Sequence, residues 1–206
     1  MLIVHHRRNT VNLLEQTPTN FGVEIDIRSW KEKIIINHDP FIDSIELKDW
    51  LKFYNHSFLI LNLKEEGLEK SVISLMSQFK ISNFFFIDQS FPFLMKTIRS
   101  GESRSSVRIS DLESFETAKN LKGMVDWVWI DFFESFPLGK LEYESLKQMG
   151  YKICLVSPEL SGHPDDMLNL IHKLLLKERI TLEAVCTKYP QKWEKYNHYF
   201  DNNINL

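Results

Sequence analysis

Short strand-like runs alternate with amphipathic stretches along the whole chain, and this alternation limits the folds open to it. The strand-like runs are rich in Ile, Val, Phe or Trp and are bounded by polar residues. They span residues 2–5, 23–27, 34–37, 58–63, 84–88, 106–109, 127–131, 151–156 and 184–187. Between most of them, apolar residues recur at three- and four-residue spacing, as Leu68, Val72 and Leu75 do within 65–79. The order of elements predicts an α/β protein.

The number of strand units favours a closed barrel. When 23–27 and 34–37 are the two arms of one hairpin, eight units remain, and eight strands alternating with helices predict a parallel (β/α)₈ barrel, or TIM barrel. The chain has 206 residues, fewer than the roughly 250 usual for this fold, so its loops must be short. A doubly wound open sheet is the alternative, but its usual glycine-rich first turn is missing from HHRRN. The sequence contains no linker or repeat, which predicts one domain over residues 1–206.

Composition excludes several classes of protein. Hydrophobic residues make up 43% and charged residues 26%, values typical of a globular rather than a disordered chain. The formal net charge of −3 gives no basic excess for nucleic acid. The apolar runs fall far short of the roughly 20 residues of a membrane span. MLIVHHRR is unlike a secretory signal, and two cysteines are too few for a disulfide scaffold. We expect a cytoplasmic protein with no nucleic-acid partner and no integral membrane segment.

Polar side chains recur at the carboxyl ends of the strand-like runs. Glu24 and Asp26 are two residues apart, so they face the same side of their strand. The same spacing relates Asn62 to Lys64, Phe86 to Asp88 and Trp129 to Asp131, while His6, Arg7 and Arg108 lie in or after other strands. Barrel enzymes build their active sites at this end of the barrel. The pattern therefore predicts a functional site.

The adjacent acids need a compensating charge. Glu24 and Asp26, facing into a narrow barrel, repel each other unless a cation is present. Carboxylates are ligands of hard cations such as Ca²⁺ and Mg²⁺. The alternative is an ion pair of these acids with Arg28 or Arg108. We favour the metal.

A second histidine approaches the acids through the hairpin. A turn centred near Glu32 pairs position 26 with position 38, so His38 returns beside Asp26. His6 and His38 then flank the carboxylate pair. Histidines exchange protons near neutral pH. Together these residues predict metal-assisted acid/base chemistry.

The same segments resemble the motifs of a known enzyme family. HHRRNT at 5–10, GVEIDIR at 22–28 and NHDP at 37–40 are similar, in this order, to the His-Arg-Gly, Glu-x-Asp and His-Asp motifs of glycerophosphodiester phosphodiesterases. LNLK at 61–64 falls where the family has Glu-x-Lys, and CTKYP at 186–190 where it has a Thr-Asp-x-Pro-like segment. The resemblance spans nearly the whole chain and implies a (β/α)₈ barrel of the phospholipase-C-like phosphodiesterase type.

The resemblance also implies a role for each matching residue. It makes His6 and His38 the general acid and base, Glu24 and Asp26 ligands of Mg²⁺ or Ca²⁺, and Arg7 and Lys64 the phosphate ligands. The family hydrolyses the bond between a phosphate and an alcohol such as glycerol, a reaction of lipid metabolism. From their places in the strands, Arg108 is a further candidate for substrate binding, and Trp129 is a candidate for stacking on a sugar or glycerol.

The chain also departs from the family pattern. Arg8 stands in place of the glycine of His-Arg-Gly, and Asn62 stands in place of the third carboxylate of the metal site. The insertion that follows His-Asp in the family is nearly absent, so the barrel is compact. Another carboxylate would have to restore the charge that Asn62 lacks. Asp88, at the end of the next strand, is the candidate for this metal ligand.

These observations predict a metal-dependent phosphodiester hydrolase that acts on a small glycerophosphodiester or a related diester. Two alternatives stay open: a barrel without activity that binds a phosphorylated glycan or polyol, and a cyclising lyase of the phospholipase C type. The intact histidine pair favours catalysis, whereas Asn62 and the lost insertion favour binding alone. An aromatic run at 193–200 allows packing against the barrel wall, which we favour, or a homodimer contact.

Overall fold

The structure is a computed structural model that describes residues 1–204, with side chains described as far as Tyr199. The strands are β1 (Leu2–His5), β2 (Gly22–Trp30), β3 (Lys33–Ile36), β4 (Phe58–Leu63), β5 (Phe84–Ile87), β6 (Ser106–Ile109), β7 (Trp127–Ile130), β8 (Lys152–Val156) and β9 (Ala184–Thr187). The helices are α1 (Val11–Glu15), α2 (Leu47–Trp50), α3 (Glu69–Gln78), α4 (Phe91–Arg99), α5 (Phe115–Asn120), α6 (Lys140–Gln148), α7 (Met167–Glu178) and α8 (Pro190–Ile204). Single 3₁₀ turns lie at Leu51–Phe53 and Pro158–Leu160.

The strands form one sheet in the order β5-β4-β2-β1-β9-β8-β7-β6. Neighbouring strands such as β2 and β4, or β7 and β8, run parallel. Strand β3 pairs antiparallel with β2 and is the second arm of a hairpin. Parallel strands in this order, alternating with helices, form a (β/α)₈ barrel, so the predicted fold class is confirmed.

Internal contacts divide the chain into two compact units. The first unit is Val4–Ser106, and the second unit is Met1–Ile3 together with the residues from Val107 onward. Strand β1 contributes residues to both units. The single domain over residues 1–206 stays a prediction.

The first unit is built around the buried strands β2, β4 and β5. All residues of β4 and β5 are buried, as expected for parallel strands covered on both faces. Ile25, Leu61 and Phe86 pack with Val72 and Met76 of α3 in one apolar core. Burial of each such side chain contributes about 1.5–3 kcal/mol. This core holds the carboxyl ends of the strands in a fixed arrangement.

The second unit packs α7 and α8 by aromatic contacts. The ring of His172 lies 4.5 Å from that of Trp193 and 4.4 Å from that of Tyr196. Trp193 Nε1 donates a hydrogen bond to Ser157 Oγ at 2.8 Å, just after β8. The predicted packing of the run 193–200 is confirmed for Trp193 and Tyr196. The side chain of Phe200 lies outside the described residues.

Two element boundaries differ from the sequence prediction for local reasons. Strand β2 continues to Trp30, because a turn of only two residues, in which Lys31 has a φ of 56°, joins it to β3. The helix predicted over 65–79 begins at Glu69, after Gly67 turns the chain with a φ of 91°. Within residues 1–204, no helix is long and apolar enough to cross a membrane.

Candidate functional site

Glu24 and Asp26 lie side by side on one face of β2, as their spacing predicts. They are buried, with 1% and 0% of their surface exposed. In the parallel pairing of β2 with β4, Asp26 lies opposite Asn62. The core of the first unit therefore brings together three of the four predicted metal ligands, in a place from which water is largely excluded.

The Glu24 carboxylate accepts two hydrogen bonds. The Arg7 backbone N–H donates to Oε2 at 2.7 Å, and Asn62 Nδ2 donates to Oε1 at 3.0 Å. Burial, and after it the charge of Asp26, raises the pKa of Glu24 to about 7. A cation beside these oxygens would favour the ionised carboxylate. A positive charge beside Glu24 would therefore offset the effects of burial and of Asp26 on its pKa.

Asp26 is bound firmly through one oxygen only. Asn9 Nδ2 donates to Oδ2 at 2.8 Å, and the Asp26 backbone N–H donates to Asn9 Oδ1 at 3.0 Å. Arg7 Nε lies 3.5 Å from Oδ2, and Lys64 Nζ lies 3.5 Å from Oδ1. Oδ1 is buried and accepts no hydrogen bond. This oxygen therefore has an ion-pair contact with Lys64 but keeps its hydrogen-bonding capacity.

The loop after β1 folds back onto the acid pair. Arg7 has a φ of 52°, and this left-handed turn accompanies the bond from its N–H to Glu24. The Arg8 N–H donates to the Glu24 carbonyl at 2.8 Å, and Trp50 Nε1 donates to the Arg8 carbonyl at 3.1 Å. These bonds place His6, whose Nε2 lies 3.9 Å from Glu24 Oε2. Arg8 thus contacts Glu24 and Trp50 through its backbone, and its Nη2 lies 3.2 Å from His5 Nδ1.

Asn9 belongs to the site but is absent from the residues predicted for it. Its two bonds to Asp26 close a ring between the loop and β2. The next residue, Thr10, caps α1 by accepting a hydrogen bond from the Leu13 N–H at 3.2 Å. The sequence feature that could have pointed to Asn9 is the Asn9-Thr10 pair in the HHRRNT segment.

Lys64 lies between two carboxylates. Its Nζ is 3.5 Å from Asp26 Oδ1 and 3.4 Å from Asp88 Oδ2. Asp88, the fourth predicted metal ligand, follows β5 with a φ of 59°. A cavity of about 240 Å³ adjoins both side chains and is also lined by Glu65 and Ser90. A larger cavity of about 890 Å³ lies beside the β2–β3 hairpin and α3, away from these residues.

His38 is displaced by one residue from its predicted place in the hairpin. Asn37 is the residue beside Asp26, because its N–H donates to the Asp26 carbonyl at 3.0 Å. The predicted pairing of position 26 with position 38 is wrong, since the two-residue turn is centred before residue 32. His38 Nδ1 pairs with Asp39 Oδ1 at 2.8 Å, and its side chain is 42% exposed. The role of His38 in proton transfer stays a prediction.

Arg108 and Trp129, the other predicted substrate-binding residues, belong to the second unit. Trp129 is buried within β7. Arg108 Nη1 lies 3.7 Å from Asp131 Oδ2, and its Nε lies 3.9 Å from Glu113 Oε2. Asp131 Oδ1 also accepts a hydrogen bond from Ser161 Oγ at 2.7 Å. Arg108 and Ser161 thus both contact the Asp131 carboxylate.

Two oxygens without hydrogen bonds are candidate ligands for a cation. Asp26 Oδ1 and Asn62 Oδ1 are both buried and accept none. With the Glu24 carboxylate they make a set of hard oxygen ligands, of the kind that Mg²⁺ and Ca²⁺ take. No group of three or more His, Cys, Asp or Glu side chains within residues 1–204 is arranged to hold a metal ion. The amide oxygen of Asn62 would therefore have to complete the set.

The fold and the site together define a (β/α)₈ barrel with a buried acid pair and cationic side chains at the carboxyl ends of its strands. The glycerophosphodiester phosphodiesterase of Agrobacterium tumefaciens has a similar structure, with a TM-score of 0.66 and 14% identity over 96% of this chain and 99% of that chain. The glycerophosphoryl diester phosphodiesterase of Parabacteroides distasonis is also similar, with a TM-score of 0.68 and 11% identity over 97% and 86%. No protein-family model and no curated protein matches the chain. The predicted resemblance is thus confirmed in the fold.

Proposed function

We propose that the chain hydrolyses phosphodiesters, with a glycerophosphodiester or a related alcohol–phosphate diester as substrate. The observation that carries this proposal is the buried pair of Glu24 and Asp26, flanked by Arg7, Lys64 and His6. Acids with an unbonded oxygen suit a divalent cation, and nearby cationic groups suit a phosphate. The similarity in fold to solved phosphodiesterases supports the same reaction class.

Glu24, Asp26 and the amide oxygen of Asn62 would hold a Mg²⁺ or Ca²⁺ ion. When bound, such an ion polarises the phosphoryl oxygens of a diester. Asp88 would add negative charge near the site, and its Oδ2 lies 3.4 Å from Lys64 Nζ. The proposal is supported by the two buried oxygens that accept no hydrogen bond.

Arg7 and Lys64 would bind the phosphate. Arg7 Nε and Lys64 Nζ each lie 3.5 Å from an oxygen of Asp26, so both have donors left for another anion. Their side chains are 43% and 18% exposed, so a ligand can reach them from solvent. A guanidinium and an ammonium together would fix the orientation of the diester.

His6 and His38 would transfer the protons of hydrolysis. One imidazole takes a proton from the attacking water, and the other donates a proton to the oxygen of the leaving alcohol. His6 is placed by the loop that wraps the acid pair. The bond from His38 Nδ1 to Asp39 leaves Nε2 as the nitrogen that can meet a substrate.

Asn62 favours one further candidate function, and a second stays open. Asn62 brings no charge and donates a hydrogen bond to Glu24, which favours a barrel that binds a phosphorylated glycan or polyol without turnover. The same acid/base pair would serve a cyclising lyase if a hydroxyl of the substrate attacked in place of water. Neither function gives the products of hydrolysis, because the lyase forms a cyclic phosphate and the binding protein forms no product.

Product analysis with defined cations separates these functions. The chain is treated with EDTA and then given bis(p-nitrophenyl) phosphate or glycerophosphodiesters with Mg²⁺, Ca²⁺ or Mn²⁺. We expect free alcohol and a phosphomonoester, released only when a cation is present. A cyclic phosphate in the ³¹P spectrum indicates the lyase, and diester binding without product indicates the binding protein. Turnover that EDTA leaves unchanged would contradict the role of the cation.

The other sequence expectations stay predictions. They are a cytoplasmic location, a role in lipid metabolism, a homodimer contact, and substrate-binding roles for Arg108 and Trp129. Light scattering tests the dimer directly. Arg108→Gln tests the arginine, because it removes the charge while keeping a similar length.

A further inference from the structure

Arg28 joins two segments that carry residues of the proposed site. It lies on β2, two residues beyond Asp26. Its Nε donates to the His38 carbonyl at 2.9 Å, and its Nη1 donates to the Lys64 carbonyl at 3.1 Å. These acceptors are 10 and 36 residues away along the chain. One guanidinium thus connects the segment after β3 with the segment after β4.

Both carbonyls lie just past the end of a strand, beyond the regular ladder of the sheet. On the side of β3, the Asn37 N–H donates to the Asp26 carbonyl at 3.0 Å. On the side of β4, the Lys64 N–H donates to the Ile27 carbonyl at 3.0 Å. The backbone of β2 therefore anchors both segments through their N–H groups, and the side chain of Arg28 anchors them through their carbonyls.

The charge of Arg28 is not used in an ion pair. In the described part of the chain, its hydrogen bonds go to neutral carbonyls and no carboxylate pairs with it. The ion pair of Arg28 with the acids, which the sequence left open, is not formed. A guanidinium that is planar and has donors in fixed directions can serve two separate acceptors at once, which a lysine ammonium cannot do with the same geometry.

We infer that Arg28 is a positioning residue, which sets the spacing between His38 and Lys64. The inference rests on the proposed function, because that function gives these two residues their roles in proton transfer and phosphate binding. Reacting groups must be held in close register, and a misplacement of about 1 Å can reduce turnover about 100-fold. Arg28 would supply this register without touching the substrate.

The test compares Arg28→Ala with a matched control, Arg104→Ala. Arg104 also donates from Nη1 to a backbone carbonyl, that of Ser82 at 3.2 Å, but beside the amino end of β5. We expect Arg28→Ala to lower turnover of a diester about 10- to 100-fold. Added ethylguanidinium should restore much of the loss, because it can refill the space and bind both carbonyls. Arg104→Ala should keep its turnover and show no response to ethylguanidinium.

Amide hydrogen exchange gives a second readout of the role of Arg28, which does not depend on turnover. In Arg28→Ala, the backbone amides around His38 and Lys64 should lose protection together and regain it with ethylguanidinium. Arg28→Lys, which keeps the charge and the stem, serves if the alanine variant does not fold, and it should show the same paired loss. Unchanged protection in both segments would overturn the inference.

The two proposals fail in different ways. A wild-type chain that turns over no diester contradicts the proposed function, while hydrogen exchange still decides whether Arg28 fixes the two segments. A wild-type chain that is active, with Arg28→Ala equally active, overturns the positioning role and leaves the proposed function intact. A loss of activity that ethylguanidinium does not reverse in a folded Arg28→Ala also overturns it.

Discussion

The buried polar side chains at the strand ends of the two units differ in how many of their oxygens accept hydrogen bonds. In the first unit, Asp26 and Asn62 each keep a buried oxygen that accepts no hydrogen bond, and the Asp26 oxygen faces Lys64 Nζ at 3.5 Å. In the second unit, Asp131 accepts from both the Phe132 N–H and the Ser161 hydroxyl through one oxygen, and the other oxygen faces Arg108. Buried acceptors in proteins nearly always have partners. These two oxygens of Asp26 and Asn62 are therefore the reason why we propose a ligand site in the first unit.

Glu159 shows the structural use of an acid in the second unit. It accepts hydrogen bonds from the Thr187 hydroxyl at 2.6 Å, from the Lys188 N–H at 2.8 Å and from Ser157. These bonds join the segment after β8 to the end of β9. We therefore expect substitutions of acids in the first unit to change ligand binding, and substitutions of acids in the second unit to change stability.

The largest expected effect concerns the histidines. His38→Ala should lower diester turnover about 100- to 10,000-fold, the usual contribution of one proton-transfer group. The melting temperature should hardly change, because the ring is 42% exposed and pairs with the adjacent Asp39. His198→Ala is the control, since His198 is exposed on α8 of the second unit. Full activity of His38→Ala would remove this residue from the mechanism.

A third carboxylate in the first unit sharpens the comparison of the acids. Asn62→Asp should lower the melting temperature in EDTA, because it adds a negative charge beside Glu24 and Asp26. With Ca²⁺ or Mg²⁺ it should bind the ion about tenfold more tightly and melt at a higher temperature than the wild type. Asn120→Asp, on the exposed end of α5, should change neither the ion affinity nor the melting temperature. An unchanged ion affinity of Asn62→Asp would place the cation away from this residue.

A smaller effect is expected at Asp88. Asp88→Asn should weaken cation binding about two- to fivefold, because Lys64 loses one partner and moves toward Asp26. A double-mutant cycle with Lys64→Met tests whether Asp88 affects cation binding through Lys64. We expect the effect of Asp88→Asn to vanish when Lys64 is absent. If calorimetry finds the same weakening in both backgrounds, the Asp88 carboxylate binds the ion itself.

The smallest effect is on acid stability in the second unit. Burial lowers the pKa of His172 from 6.5 to about 4. Between these values the unfolded chain binds a proton more readily than the folded one, so the stability that this histidine contributes is present above pH 6.5 and is lost as the pH falls toward 4. His172→Phe keeps the ring packing on Trp193. The melting temperature of His172→Phe should exceed that of the wild type by more below pH 6.5 than above it. An equal difference in the two pH ranges would show that protonation of His172 does not affect stability.

Much of the barrel and part of the site could be predicted because they follow from simple periods in the sequence. Alternation of residues along a strand fixes which side chains share a face, so Glu24 and Asp26 were placed together correctly. The number of strand units then gave the fold class. The hairpin register could not be predicted in the same way. It depends on the left-handed conformation of Lys31, which residues other than glycine adopt infrequently.

Asn9 and Arg28 were missed for a different reason. Arg28 binds backbone carbonyls, and Asn9 binds both the side chain and the N–H of Asp26. Which backbone groups come within reach depends on where each strand ends and how each loop turns. No spacing in the sequence specifies such contacts. The Asn9-Thr10 pair in HHRRNT could have pointed to Asn9, but its partner Asp26 becomes visible only in the folded chain.

Calorimetric titration of Mg²⁺ and Ca²⁺ into the wild type, Asp26→Asn and Asp131→Asn tests the central claim most directly. Asp26→Asn should stay folded, because it relieves the repulsion with Glu24. We expect one cation site in the wild type, at least about tenfold weaker binding in Asp26→Asn, and wild-type affinity in Asp131→Asn. A wild type that binds neither ion, or an Asp26→Asn variant that binds it as tightly as the wild type, would contradict the account.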